Sequence, residues 1–105
     1  MANRATKLGT FTGTGTGEGQ ECALLRDGSG VFVAEYTGAL GTFTVVLEGR
    51  AVAGSGGWAV ITSKAHTDVT APGTAVAAAV TLLPEMRVRV TALTGITGLT
   101  CYIIQ

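Results

Sequence analysis

Short runs of apolar residues, separated by turn-forming residues, make up most of the chain from Gln20 onward. Glycine-rich and proline-containing breaks such as 27–30, 54–57 and 72–73 supply the backbone angles that tight turns need. Runs of this length and spacing predict an all-β domain rather than alternating strands and helices. The predicted strands are Glu21–Leu25, Val31–Tyr36, Thr42–Leu47, Trp58–Ser63, Ala75–Leu82, Met86–Ala92 and Leu99–Ile104.

Apolar and polar residues alternate in two of these strands, as is typical of a strand with one buried face. The apolar members are Phe43, Val45 and Leu47 in one, and Met86, Val88 and Val90 in the other. The runs 31–34 and 99–104 are instead apolar on nearly both faces, which indicates strands that are either central in the fold or covered on their outer face, for example by another subunit. The whole pattern predicts an antiparallel β-sandwich, jelly-roll or immunoglobulin-like, with seven to eight short strands.

The first 20 residues differ from the rest because glycine alternates with threonine in much of this segment. Glycine loses the most backbone entropy on ordering, so the segment is a weak strand. We expect residues 1–20 to form a flexible N-terminal arm and 21–105 to form the domain. The arm is either a mobile leader or a segment that orders against a neighbouring subunit. Its candidate interaction residues are Thr10, Phe11, Thr12, Gly13, Thr14, Gly15, Thr16 and Gly17.

Charge is scarce in this chain. Charged residues are 13% of the total, about half of the ~25% usual in soluble domains, and the formal net charge is zero. Without a cluster of Lys and Arg, the sequence argues against nucleic-acid binding and against an anionic membrane surface. The mean hydropathy of +0.44 is high for a small monomer, which predicts that other chains cover part of the surface.

No constellation of residues predicts catalysis, a metal or a cofactor. Ser63, His66 and Asp68 crowd one short polar segment, which we interpret as a loop, without the convergent geometry of a catalytic triad. The glycines of the arm lack the strand before and helix after that a dinucleotide site needs. We expect Glu35 and Glu48 to be solvated, or to pair with Arg87 and Arg89 across strands. The sequence therefore predicts a protein that is not an enzyme.

Cysteines and aromatic residues each leave two interpretations open. Cys22 and Cys101 could form one bridge, or be two buried free thiols. Trp58, Tyr36 and Tyr102 could stack on a sugar, but the low aromatic content favours packing in the core, with Trp58 inside the sandwich. The chain has no apolar run long enough for a membrane helix and no secretory signal at its start, so we expect synthesis and retention in the cytoplasm.

Four runs in the middle and end of the chain follow a familiar order. Gly41-Thr-Phe-Thr-Val-Val-Leu-Glu-Gly49 is followed by a glycine-rich turn and Trp58-Ala-Val-Ile, and the chain ends with Met86-Arg-Val-Arg-Val-Thr-Ala92 and Leu99-Thr-Cys-Tyr-Ile-Ile104. These runs resemble the paired strands and the closing strands of a recurring module of tailed-bacteriophage virion proteins. The chain departs from the module at 50–54, where a Ser-Asp-Gly turn is usual.

The resemblance implies a β-sandwich subunit of a virion, made in the host cytoplasm. Encoded alone, such a module is typical of a capsid decoration (cement) protein that assembles as a homo-oligomer, such as a trimer, on the major capsid protein. The alternative is a tail or fibre accessory protein, or a host-surface carbohydrate-binding module that uses Trp58, Tyr36 or Tyr102. No cofactor, nucleic acid or membrane is implied as a partner.

Overall fold

Antiparallel β-structure dominates the fold. The computed structural model describes residues 5–21, 29–51, 56–69 and 73–105, and at 21, 38–40, 64, 66–69 and 77–78 it describes the backbone alone. Every regular element in these ranges is a strand, which confirms the all-β prediction. The strands are β1 Ala5–Phe11, β2 Gly15–Thr16, β3 Gln20–Glu21, β4 Ser29–Arg50, β5 Ala59–Val69, β6 Gly73–Thr81 and β7 Glu85–Ile104.

Two very long strands form the centre of the sheet. β4 and β7 pair with each other in antiparallel register along nearly their whole length, from Val31 opposite Ile104 to Arg50 opposite Glu85. On the free side of β7 lie β1, β2 and β3 in turn. On the free side of β4, β6 pairs with its first half and β5 with its second half. The sheet is therefore four strands wide, and its two outer positions are each filled by shorter strands.

The described strands number seven, within the predicted seven to eight, but the expectation that all of them are short was wrong for β4 and β7. The predicted turns at 37–38 and 95–98 do not end strands; the chain passes through them within β4 and β7. The β4–β7 register shifts between Thr37 and Thr42, and Gly95 has a φ of 78°. Glycine permits a local bulge or bend as readily as a turn, so the sheet bends here without being interrupted.

The core lies on one face of the curled sheet. Residues from both ends of β4 and β7 belong to a single buried cluster, because the sheet curls into a half-barrel and brings its two halves together. The alternation predicted for β4 and β7 is confirmed. The largest fully buried side chains are Phe32, Phe43, Leu8, Leu47, Met86, Leu99 and Ile103.

The N-terminal segment differs from the predicted flexible arm. Residues 5–11 form β1 along β7, and Leu8 is 2% exposed within the core. The chain then bends and continues in the same direction along the other half of β7 through β2 and β3. Threonine suits a strand, and the hydrogen bonds and core contact available along β7 offset the entropic cost of ordering the glycines.

Two further predictions met different outcomes. The segment 63–68, interpreted as a polar loop, is part of strand β5. Among the described residues β5 pairs with β4 alone, and a strand at the edge of a sheet accommodates polar side chains. The alanine-rich strand predicted at Ala75–Leu82 is confirmed as β6. The predicted strand residues 22–25, and residues 27–28, 54–55 and 72 of the predicted breaks, lie outside the described residues.

Candidate interaction surfaces

One half of the sheet has an apolar outer face. On β4, Phe32 and Ala34 point into the core, so Val31 and Val33 lie on the opposite side. The register places Val31 between Ile104 and Ala79, and Val33 between Tyr102 and Val76. Directly opposed residues in antiparallel strands share a face. We call this set the outer apolar face: Val31, Val33, Val76, Ala79, Tyr102 and Ile104.

The outer apolar face is accessible and sparsely charged. Val76 is 54% exposed, Ala79 is exposed, and the four residues of the central strands are half-buried by their neighbours. Lys7 on β1 and Glu35 on β4 are the nearest charged residues in the register, and both are exposed. This surface corresponds to the runs predicted to be apolar on both faces. It can bind another apolar surface by excluding water.

The outer face of the other half carries an ordered set of charges. Glu48 accepts a 2.8 Å hydrogen bond from Nε of Arg87 and a 3.4 Å contact from Nε of Arg89. At the end of the sheet, Arg50 donates through Nε and Nη2 to Oε1 of Glu85, at 3.0 and 2.9 Å. The predicted pairing of Glu48 with Arg87 and Arg89 is therefore confirmed. Glu35 is exposed to solvent, which was the alternative expectation.

Trp58 lies within this set of charges and not in the core, so the expected core position was wrong. The guanidinium carbons of Arg50 and Arg87 lie 4.5 and 4.2 Å from the ring centroid. A cation over an indole is attracted by the negative face of the ring. A Cβ on Gly19 would lie 3.0 Å from the Trp58 ring and 1.8 Å from a Glu85 oxygen. The N-terminal segment thus packs directly against this end of the sheet, and a side chain at 19 would require the Glu85 carboxylate to move.

Replacing Glu48 with glutamine should lower the free energy of unfolding by about 1–3 kcal/mol. Glu48 is 6% exposed, and its loss of charge leaves Arg87 and Arg89 facing a neutral amide. We place the effect below that of a fully buried pair because the Arg89 side chain is 41% exposed. Urea unfolding compares this variant with Glu35→Gln, whose carboxylate is exposed. Equal effects of the two substitutions would contradict a stabilising role for the Glu48 pairs.

The predicted interaction residues of the N-terminal segment lie along β7. Thr10 and Phe11 end β1, residues 12–14 form an exposed bend, and Gly15 and Thr16 form β2 opposite Val90 and Arg89. Gly17 N–H donates to the Val88 carbonyl at 2.8 Å. A shallow groove of about 430 Å³ lies between β1 and residues 16–20. Four of the predicted residues line it: Thr10, Phe11, Thr16 and Gly17.

The three aromatic residues considered for sugar binding do not meet. Trp58 lies next to the Gly49–Ala59 pair, whereas Tyr36 lies at the other half of β4, opposite Leu99. Tyr36 packs on the core side, with its ring 5.3 Å from that of Phe43. Tyr102 is on the outer apolar face. Because guanidinium groups already lie over Trp58, Tyr102 is the ring of the three that a ligand could approach.

Candidates for chemistry are sparse among the described residues. No group of three or more His, Cys, Asp or Glu side chains in that part of the chain could hold a metal ion. Ser63 is exposed on β5, and the side chains of His66 and Asp68 lie outside the described residues. Cys101 is a buried free thiol, and its proposed partner Cys22 also lies outside them.

Cys101 should be inert to thiol reagents in the folded protein. Desolvation by burial raises its pKa from 9.0 to about 12, and only the thiolate is a good nucleophile. In a Cys22→Ser background, we expect a disulfide reagent to modify Cys101 only as fast as the protein unfolds. Rapid modification under native conditions at neutral pH would contradict this burial.

The same burial predicts a loss of stability in alkali. The thiol ionises above pH 9 in the unfolded chain but only near pH 12 in the folded one. Stability is therefore complete below about pH 9 and falls between about pH 9 and 12, by up to ~1.4 kcal/mol per pH unit. Chemical denaturation across this range should show a steeper decline for the Cys22→Ser protein than for Cys22→Ser/Cys101→Ala.

Comparison with known proteins gives no relative for this chain. No protein family, curated protein or solved structure matches it. In the part of the chain that the structure describes, no helix is long and apolar enough to cross a membrane.

Proposed function

We propose that this chain is a non-enzymatic structural subunit of a tailed-bacteriophage particle, and specifically a capsid decoration protein. The observation that carries the proposal is the outer apolar face, whose residues lie on the side of the sheet away from the core. Burying such a face against a coat protein contributes about 25 cal/mol per Å² of apolar surface. The protein would stabilise the shell by bridging neighbouring coat subunits as a homo-oligomer.

The distribution of charge supports an orientation for such a subunit. The Arg and Glu pairs lie on the outer face of the second half of the sheet, and the apolar residues lie on that of the first. A subunit with one charged face and one apolar face can remain hydrated on the former while the latter packs on a shell. The outer apolar face would then contact the major capsid protein.

The resemblance to virion modules adds separate support. The run Gly41–Gly49 and the run that begins at Trp58 lie on adjacent strands, in which Gly49 pairs with Ala59. This arrangement is compatible with the paired strands of that module. We also propose that the curled sheet is a β-sandwich, jelly-roll or immunoglobulin-like, because both halves contribute to one core. The site predicted at Thr10–Gly17 remains a candidate second contact with the shell.

Particle composition tests the proposal. Particles are purified from the bacterial strain whose genome encodes this chain, and their proteins are quantified by mass spectrometry. A decoration protein should be present at a copy number comparable with that of the major capsid protein. A copy number of a few per particle would instead indicate the tail or fibre alternative. Absence from purified particles would overturn the virion assignment.

Binding of variants to particles then tests the surface. Particles stripped of this protein are mixed with Val33→Asp, which places a charge at the centre of the outer apolar face. We expect a loss of binding of at least tenfold, since a carboxylate is costly to bury without a partner. The control is Ser63→Asp, an exposed position on β5. Circular dichroism verifies that each variant is folded. Tyr102→Ser is a second variant that removes apolar surface without adding a charge. If both Val33→Asp and Tyr102→Ser bind particles as well as the wild type, the outer apolar face is not the binding surface.

A further inference from the structure

The outer edge of β6 is a strand edge that β5 approaches at one end, where residues 60–62 and 79–81 line a common groove. Within the described residues, β6 pairs with β4 and with no other strand. An edge strand presents a row of backbone N–H and C=O groups that can pair with a strand of another chain. Natural proteins usually protect such edges with charged side chains or proline.

β6 lacks the protection that the other edges have. Its sequence, Gly-Thr-Ala-Val-Ala-Ala-Ala-Val-Thr, contains no charged residue and no proline over nine residues. The β1 edge carries Lys7, and the sequence of β5 includes Lys64 and Asp68. The pairings of all three strands contain a register shift, so the difference between these edges is their charge. The exposed residues of β6 include Val76, at 54%. An uncharged edge with exposed apolar side chains is suited to pairing with an equally uncharged strand.

We propose that β6 pairs with β6 of a second copy, antiparallel about a two-fold axis. This inference names a contact for the homo-oligomer of the proposed function and rests on it to that extent. The partner is argued from the edge: a second β6 brings no charge into the contact, whereas the longer edge strands β1 and β5 would each bring a lysine. Pairing one edge with itself closes as a dimer and leaves no free β6 edge.

The irregularity within β6 sets the register of this contact. Val76 pairs with Val33 and Ala79 with Val31, so one extra residue lies in β6 between them. A two-fold axis at this bulge, between 77 and 78, opposes the regular stretch 73–76 of one copy to the regular stretch 79–81 of the other. Val76 then faces Ala79 of the second copy, and Thr74 faces its Thr81. The outer apolar faces of both copies become one surface, because Val76 and Ala79 belong to it.

Charge placed at the opposed positions tests the contact. Thr74 and Thr81 are exposed, and Thr74→Lys/Thr81→Lys puts lysine opposite lysine at both ends of the contact. The matched control, Thr74→Lys/Thr81→Glu, puts opposite charges in the same places. Light scattering behind a sizing column gives the mass of each protein over a range of concentrations.

The wild type should have a mass of about 21 kDa, twice the 10.6 kDa of one chain. We expect the lysine pair to raise the dimer dissociation constant at least about tenfold and the lysine–glutamate pair to keep the dimer. A monomeric or trimeric wild type, a lysine pair that leaves the dimer intact, or a monomeric lysine–glutamate variant would each overturn the proposal.

A measurement without substitutions protects the test against misfolded variants. Amide hydrogen exchange in wild-type β6 should slow as protein concentration rises, while exchange in the β1 edge should not change. Concentration-independent exchange in β6 would overturn the pairing. Particle composition is measured independently of dimer formation. If the protein is found in particles but does not dimerise in solution, the β6 contact is refuted and the proposed function is not. If the protein dimerises but is absent from particles, the proposed function is refuted and the β6 contact is not.

Discussion

Replacing Leu8 with alanine is expected to lower the free energy of unfolding by about 2–5 kcal/mol. Leu8 is 2% exposed and belongs to the same buried cluster as the central strands. The substitution leaves a cavity where β1 crosses the core, and the surrounding strands can close it only in part. A small domain has about 5–15 kcal/mol of stability in total, so the loss should be plain in the urea midpoint.

Leu93→Ala is the matched control for this prediction. It makes the same change on β7, at a residue that is half-buried at the border of the core. We expect a smaller loss, because less apolar surface is involved. The comparison also distinguishes a structural β1 from a flexible arm. If Leu8→Ala costs no more than Leu93→Ala, the N-terminal segment does not contribute to the core in solution.

Replacing Gly41 with alanine is expected to lower the free energy of unfolding by about 1–3 kcal/mol or more, although only one methyl group is added. A Cβ at this position would lie 2.1 Å from the carbonyl oxygen of Thr94 and 2.9 Å from the amide nitrogen of Ile96. Both atoms are backbone, so relief requires β4 and β7 to separate at their common bend. The expected result is a lower urea midpoint with an unchanged slope.

Gly13→Ala should instead raise the free energy of unfolding. No atom lies within 4 Å of a Cβ at position 13, and its φ is outside the range that favours glycine. Alanine there restricts the unfolded chain more than the folded one, which stabilises by about 0.4–1 kcal/mol. Equal effects at both positions would show that β4 and β7 do not approach closely at Gly41.

The two substitutions concern the feature that organises the molecule. Leu8 connects the N-terminal segment to the core, and Gly41 allows β4 and β7 to approach where the sheet bends. The bend separates the outer apolar face from the half of the outer surface that carries the Arg and Glu pairs. The proposed attachment to a shell uses the outer apolar face, and the proposed dimer uses its β6 edge. Loss of the bend should therefore impair both contacts along with stability.

Much of the local structure could be predicted from residue patterns. The alternation of Phe43, Val45 and Leu47 places them in the core, and the strand in the alanine-rich segment is confirmed between its flanking prolines. The pairing of Glu48 with Arg87 and Arg89 was also among the predictions. These features depend on neighbouring residues or on the period of a strand, which a linear pattern expresses directly.

The candidate surfaces were predicted less completely. Runs 31–34 and 99–104 indicated strands with two apolar faces, but not that Val76 and Ala79 join them across β4. Trp58 was expected in the core, since no local signal shows that two arginines from different strands lie over its ring. The predicted contact residues Thr10–Gly17 line β7, and their binding of a partner remains a prediction.

Residue order alone specifies an all-β chain, the face of β4 and β7 that is buried, and the scarcity of charge that suggests an assembly. It does not specify whether Gly38 and Gly95 turn the chain back or bend a continuous strand, because glycine permits both conformations at little cost. The choice depends on pairing between residues far apart in sequence, such as Val31 with Ile104. The same long-range pairing brings residues 5–11 into the sheet, since β7 supplies the hydrogen bonds and buried surface that this glycine-containing segment lacks in isolation.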